Sequence, residues 1–295
     1  MGGVALGALS GVGFGLFQAV VRQVNAAIDA YRVTFGLVAV GTLLLGAIAL
    51  LTEDVWLVAR APAGALLAFA AAGLVHFLLG WTFLGLSQQR IGATRTGALI
   101  ATMPLFGTLG AAMAFGEVLG GRALLAVTAV VAGVTAVTLS GRAQRVREGT
   151  GSTAGVAFAF ATAACWATSP LLIRLGLRGL ASPLLGVTVG MAATTVVCGL
   201  LVVALGARGE HVDRTVLLGI VVAGTFVGLS IWGYWTAIDL AKVGVVLAVT
   251  QLSSPTVALV APLLSGDPRE RSGPWFWTGL ALVIAGSVAL LLGDT

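Results

Sequence analysis

GATRTGALIATMPLFGTLGAAMAFGEVLG, residues 92–120, is an apolar run of helix length with Pro104 inside it and Glu117 near its end. A proline in a helix interior removes a backbone hydrogen bond and bends the axis. In hydrocarbon this is tolerated only where neighbouring helices or a cavity satisfy the freed carbonyl. The motif occurs twice. Residues 244–268, GVVLAVTQLSSPTVALVAPLLSGDP, place Pro255 151 positions after Pro104. Two broken apolar helices in one chain point to one internal site between them, with Pro104 and Pro255 as its hinges.

Outward from this stretch, apolar runs of about 20 residues recur along the chain, the length that spans a hydrocarbon core at about 1.5 Å per residue. Hydrophobic residues make up 58% of the 295 and charged ones 9%, against roughly 25% charged in a soluble domain. The composition defines an all-α integral membrane protein that crosses the bilayer many times. The first residues, MGGVALGALSG, lack the basic flank of a signal peptide and are expected to stay as the first span. Its glycines at 3, 7, 11 and 15 form a small-residue stripe suited to close helix approach.

The pattern predicts ten spans, near 3–21, 30–51, 63–86, 92–120, 121–140, 153–173, 183–205, 216–238, the run holding Pro255, and 274–292. The halves correspond in order. Gly3-Val4-Ala5 matches Gly155-Val156-Ala157, Phe14 stands opposite Trp166 and Arg22 opposite Arg174, all at offset 152. Trp81 matches Trp232 at offset 151, and Ala132-Gly133 matches Ala285-Gly286 at offset 153. This divides the chain into a first repeat, 1–141, a polar linker, 142–152, and a second repeat, 153–295. Five spans per repeat is an odd number, so the second repeat is expected to cross the membrane in the opposite sense to the first. Inverted duplication around a midplane site is an architecture of secondary transporters.

Ile91-Gly92-Ala93, Pro104, Gly116-Glu117, Gly121 and Ala132-Gly133, echoed by Val243-Gly244, Pro255 and Ala285-Gly286, resemble the EamA-like branch of the drug/metabolite transporter superfamily. The resemblance implies a ten-helix fold in the cell (plasma or inner) membrane and export of a small solute by alternating access. Members carry amino acids, other metabolites, drugs, nucleotide sugars or sugar phosphates. It also implies a structural role for Glu117. The second half departs from the pattern, with Pro268 standing thirteen residues after Pro255 between Asp267 and Glu270.

Candidate solute contacts follow from polar and aromatic groups within spans. His76 is a histidine near the middle of the third span, and an ionisable group there is expensive unless it serves binding or coupling. An imidazole titrates near neutrality, so His76 is the candidate for proton coupling, against the alternative of a neutral histidine bonded to a neighbouring helix. Thr102 precedes Pro104, and Thr250, Gln251, Ser253 and Ser254 precede Pro255, offering donors and acceptors beside freed carbonyls. Hydroxyls also bond back to their own helix. Trp81, Trp166, Trp232, Tyr234 and Trp235 form either aromatic walls or an interfacial belt. Trp166 is favoured, because Thr168, Ser169 and Pro170 follow it and are expected to loosen that helix. Gln18 on the glycine-striped first span completes the set. Arg22, Arg95 and Arg174 near span ends either hold an anionic group or snorkel to headgroups.

Net charge is +5, from 15 arginines and one lysine spread through short loops, a distribution for membrane topology rather than for a nucleic acid. With ten spans, 11 of the 16 basic residues fall on the side away from the N-terminus. The positive-inside rule then places both termini outside, whereas the family resemblance implies cytoplasmic termini. The two cysteines, Cys165 and Cys198, fall in apolar runs and give neither a disulfide framework nor metal spacing. No phosphate-loop motif occurs, so an ion gradient or exchange is the expected driving force. The expected partners are a small solute, the bilayer and a coupling proton, with no cofactor or metal. The rival readings are a membrane-embedded enzyme, for which the sequence has no His-Glu-x-x-His or Gly-x-Ser-x-Gly motif, and a structural subunit of a membrane complex.

Overall fold

The computed structural model describes residues 2–106, 121–140, 153–205, 212–241, 243–266 and 272–292. Among these every regular element is helical. We number the main helices α1 (Gly2–Ala27), α2 (Ala30–Thr52), α3 (Ala63–Ile91), α4 (Ala93–Ile100), α5 (Gly121–Ser140), α6 (Thr153–Leu177), α7 (Pro183–Leu205), α8 (Arg214–Leu240), α9 (Val243–Thr250), α10 (Ser253–Ser265) and α11 (Pro274–Leu292). A five-residue helical turn, Trp56–Arg60, lies between α2 and α3. Among the described residues, α1, α2, α3, α6, α7 and α8 are long and apolar enough to cross a membrane. Their outer faces carry bare apolar side chains, Leu51 being 86% exposed and Val203 80%. Such surface is compatible only with a lipid or protein covering.

Local chemistry fixes the ends. Pro183 opens α7 and Pro274 opens α11, at a position where a missing N–H is not needed. Ser182 Oγ accepts from Leu185 N at 3.1 Å and caps α7, and the same hydroxyl donates to Glu53 at the end of α2. Asp213 Oδ1 accepts from Val216 N at 2.8 Å and caps α8. Between α3 and α4 a single residue, Gly92, turns the chain at φ 81° and ψ 163°, a conformation open essentially to glycine alone.

The packing has an exchange relation. α1 lies along α8, and its counterpart α6 lies along α3; α2 meets α8, as α7 meets α3. α1 also meets α9 and α10, as α6 meets α4, while α2 packs on α7, α4 on α10, and α5 on α11. Exchanging helices at matching sequence offsets returns each of these pairings, although α4 also packs on α1 and α11 with no comparable packing of α9 or α10 on α6 or α5. The main apolar core gathers Phe17, Leu37, Phe69, Phe77, Met191 and Trp235 from α1, α2, α3, α7 and α8. α5 and α11 join smaller clusters to one side, their backbones touching where a Cβ on Gly133 would stand 2.6 Å from the carbonyl oxygen of Gly279. The glycine stripe of α1 docks on the second broken helix: a Cβ on Gly11 would lie 2.9 Å from Thr250 Cα, and one on Gly15 2.7 Å from the Ser253 carbonyl.

Three expectations change. α1 and α3 run several residues past their predicted ends, because polar residues there are paired: Gln89 Nε2 donates to the Asn25 carbonyl at 2.7 Å, and Asn25 Nδ2 to Gln88 Oε1 at 3.1 Å. α6 continues through Pro170 instead of loosening. The carbonyl that Pro170 leaves without its helical donor, that of Trp166, lies 3.5 Å from Ser169 Oγ. Finally, the run around Pro104 is not a bent helix but an interrupted one.

Gly92→Ala is expected to destabilise the protein by about 1–3 kcal/mol through backbone strain. Gly64→Ala, where nothing lies within 4 Å of the added carbon, should leave the melting temperature in detergent unchanged.

Candidate functional site

The two interruptions are built alike. α4 ends at Ile100, the chain turns at Ala101 and Thr102, and helix resumes at Met103 with Pro104 next. α9 ends at Thr250, the chain turns at Gln251 and Leu252, and α10 resumes at Ser253, two residues before Pro255. Each proline therefore sits in the first turn of the resumed helix, where it is preorganised rather than disruptive. The turns close with short-range bonds, Thr102 N to Leu99 O at 3.1 Å and Leu252 N to Val249 O at 3.3 Å.

Hydroxyls satisfy carbonyls at the breaks. Ser287 Oγ on α11 donates to Ala101 O at 2.7 Å, and Ser254 Oγ on α10 donates to Gly97 O at 2.8 Å. Thr102 and Thr250 donate to carbonyls three residues back, at 2.7 and 3.0 Å. An unbonded carbonyl in hydrocarbon costs several kcal/mol, and the Ser287 hydroxyl gives the Ala101 carbonyl a partner, while the other three hydroxyls add a second donor or a local bond beside the interruptions.

Between the breaks lies a cavity of about 30 Å³, measured as space open to the centre of a water molecule. That is room for about two waters. Its walls are Phe14 on α1, His76 on α3, Trp166 on α6, Tyr234 on α8, Ile100 and Met103 at the first break, and Thr250, Gln251 and Ser253 at the second. No acid, lysine or arginine is among them.

His76 sits on a π-helical turn, Leu74–Leu79, inside α3. Its imidazole stacks on Trp166 at 5.4 Å and 16°, its Nδ1 lies 2.7 Å from Ser169 Oγ, and its backbone carbonyl accepts from Trp166 Nε1 at 3.1 Å. Gly80 makes room for this, since a Cβ there would stand 2.5 Å from Trp166 Nε1. Tyr234 closes the aromatic wall, 6.1 Å from His76 and edge-on to Phe14 at 5.9 Å. Gln251 Nε2 is buried and has no hydrogen-bond partner among the described residues.

Of the residues singled out from sequence, His76, Trp166, Tyr234, Thr250, Gln251 and Ser253 meet at this cavity, and Ser169 stands behind His76 as its hydrogen-bond partner. Trp81 lies instead in the apolar core, 5.5 Å from Phe17 and 4.8 Å from Phe77 by ring centroids. Thr102 and Ser254 hold the breaks rather than line the cavity. Gln18 is fully buried one helical turn from Phe14, with both amide atoms unpartnered among the described residues. Pro104 and Pro255 occupy the resumed helices; Glu117 lies outside the described residues. Phe14, Ile100 and Met103 were not singled out as walls. A signal for two of them existed in the repeat, because Phe14 aligns with Trp166 and Ile100 with Gln251 at offset 151.

Long apolar helices packed around an uncharged internal cavity define a multi-pass α-helical membrane protein. The model of the EamA-like transporter family matches residues 1–139. A solved structure titled "Crystal structure of protein" is similar over 96% of this chain and 95% of its own length, with a TM-score of 0.64 and 18% identity, a likeness of fold. No curated protein matches the chain.

Ser169→Ala is expected to lower stability by about 1–3 kcal/mol by stranding a buried imidazole nitrogen. His76→Phe added to it should recover part of that loss, as read from melting of the two single variants and the double variant.

Proposed function

We propose that this protein is a secondary transporter that exports a small polar or amphipathic solute across the cell membrane by alternating access. In this reading the chain has ten spans in two inverted repeats, 1–141 and 153–295, joined by the linker 142–152. The observation that carries it is the uncharged, aromatic-walled cavity lying where two interrupted helices meet. Interrupted helices in a membrane are otherwise a cost, and they recur in transporters because the freed backbone and the loosened geometry serve a binding site. The exchange relation of the helix pairs supports it too, since two halves that rock against each other need equivalent contacts on both sides.

The division of roles follows from the geometry. Trp166, Tyr234 and Phe14 offer flat apolar surface, and Gln251 offers an unbonded N–H to a carbonyl or hydroxyl of the solute. His76, anchored by Ser169, is the group for proton coupling. Room for about two waters means that this conformation is closed, so a solute is admitted only as the halves separate.

A thermal-shift screen of the purified protein against a metabolite library, followed by uptake into liposomes containing only this protein, tests the reading. Saturable uptake of a stabilising compound is expected. Gln251→Leu should reduce it at least tenfold without lowering the melting temperature, and His76→Gln should flatten its pH dependence. Conversion of the compound without its accumulation would instead indicate an enzyme.

A further inference from the structure

A second cavity, about 300 Å³, opens at the end of α1 between Arg22, Asn25, Ala26, Ala27, Ile28, Asp29 and Gln89. Where the central cavity is aromatic, this one is polar and carries both signs of charge. Its wall is braced, for Gln89 Nε2 donates to the carbonyls of Asn25 at 2.7 Å and Ile28 at 3.4 Å.

The two cavities share one helix face. Phe14, Gln18, Arg22 and Asn25 follow one another on α1 at steps of four, four and three, the spacing of a single stripe. Phe14 is in the central wall, and Arg22, about 12 Å further along the axis, is in the outer wall. Gln18 lies between them. It is 0% exposed, and among the described residues neither Nε2 nor Oε1 has a hydrogen-bond partner. Its Oε1 faces α4 at Gly97, where an added Cβ would stand 3.5 Å away, one turn from Ile100 in the central wall.

A fully buried primary amide without partners is destabilising, by about 1–3 kcal/mol for each stranded group. A leucine would fill the same space without that cost. An amide at this point has a use only if something polar passes it.

Resting on the transport reading, we propose that the outer polar cavity is the mouth of the solute path and that Gln18 is the gate between it and the central cavity. In the closed state seen here α1 and α4 pinch the path at Gln18 and Gly97. As they part, water and then solute satisfy the amide, Nε2 donating to a carbonyl or hydroxyl and Oε1 accepting from an N–H or O–H. The solute class that fits is uncharged or zwitterionic with hydrogen-bonding groups at one end. A purely apolar compound would leave the amide stranded throughout.

The test uses the full chain with Cys165→Ala and Cys198→Ala, carrying one of Ala26→Cys, Gln18→Cys or Phe14→Cys, in liposomes treated with a charged, water-soluble methanethiosulfonate. The Ala26→Cys variant should react fastest, and the Gln18→Cys and Phe14→Cys variants at least tenfold more slowly. Adding Gln18→Ala to Phe14→Cys should raise its rate at least tenfold, while Gln18→Leu should lower it; unchanged labelling in the corresponding Ala26→Cys pairs shows that the mouth is intact. Reaction of Phe14→Cys with Gln18→Cys inert, or no effect of Gln18→Ala, would overturn the gate and leave transport standing. Failure of Phe14→Cys to react in any of these variants would overturn both, because water would then never reach the central cavity.

Discussion

Everything in this fold depends on how two apolar helices are allowed to stop and restart inside the packed protein. A backbone interrupted in hydrocarbon must find partners for its freed carbonyls. Here Ser287 reaches from α11 to Ala101, Ser254 reaches from α10 to Gly97, and Thr102 and Thr250 turn back on their own helices. These bonds lock the breaks to each other and to α11. The glycine stripe of α1 then lets that helix lie directly against the second break, with Gly11 and Gly15 in backbone contact. The cavity is the space the breaks leave, and its walls are set by the helices that must approach to seal it.

The same logic accounts for the asymmetry of the site. Residues at matching positions of the two sequence halves line it, Phe14 with Trp166 and Ile100 with Gln251, yet each pair is unequal. One partner is plain hydrocarbon and the other carries a hydrogen-bonding group. His76 adds to this imbalance on the side of α3, held by Trp166 and Ser169 from α6. Similar scaffolding in the two halves is thus combined with a lining in which hydrogen-bonding and apolar side chains are unequally shared.

Much of this was readable from the chain. Apolar runs of membrane length, the recurrence of proline at 151 residues and the stripe at 3, 7, 11 and 15 are periodic signals that survive without coordinates. The polar residues before Pro255 were visible for the same reason, since a glutamine in an apolar run stands out. Other features were not legible. Ile100 and Met103 look like any other apolar residue in such a helix, and only packing decides which face meets a cavity. Trp81 and Trp166 are the same residue type in similar surroundings, yet one is core and the other wall, because Gly80 clears a path for the Trp166 indole alone. The π-turn at Leu74–Leu79 has no sequence mark, and Pro170 disturbs α6 less than its type suggests because Ser169 lies beside the orphaned carbonyl.

The central claim is that two five-span halves cross the membrane in opposite senses around the paired breaks. Reporter fusions read it directly: one joined within the linker 142–152 and one after residue 295, each carrying a fluorescent protein that matures only in the cytoplasm. The account predicts opposite outcomes, one fusion fluorescent and the other dark. Fluorescence from both, or from neither with both fusions expressed in the membrane, would mean an even number of crossings in the second half and would contradict inverted repeats.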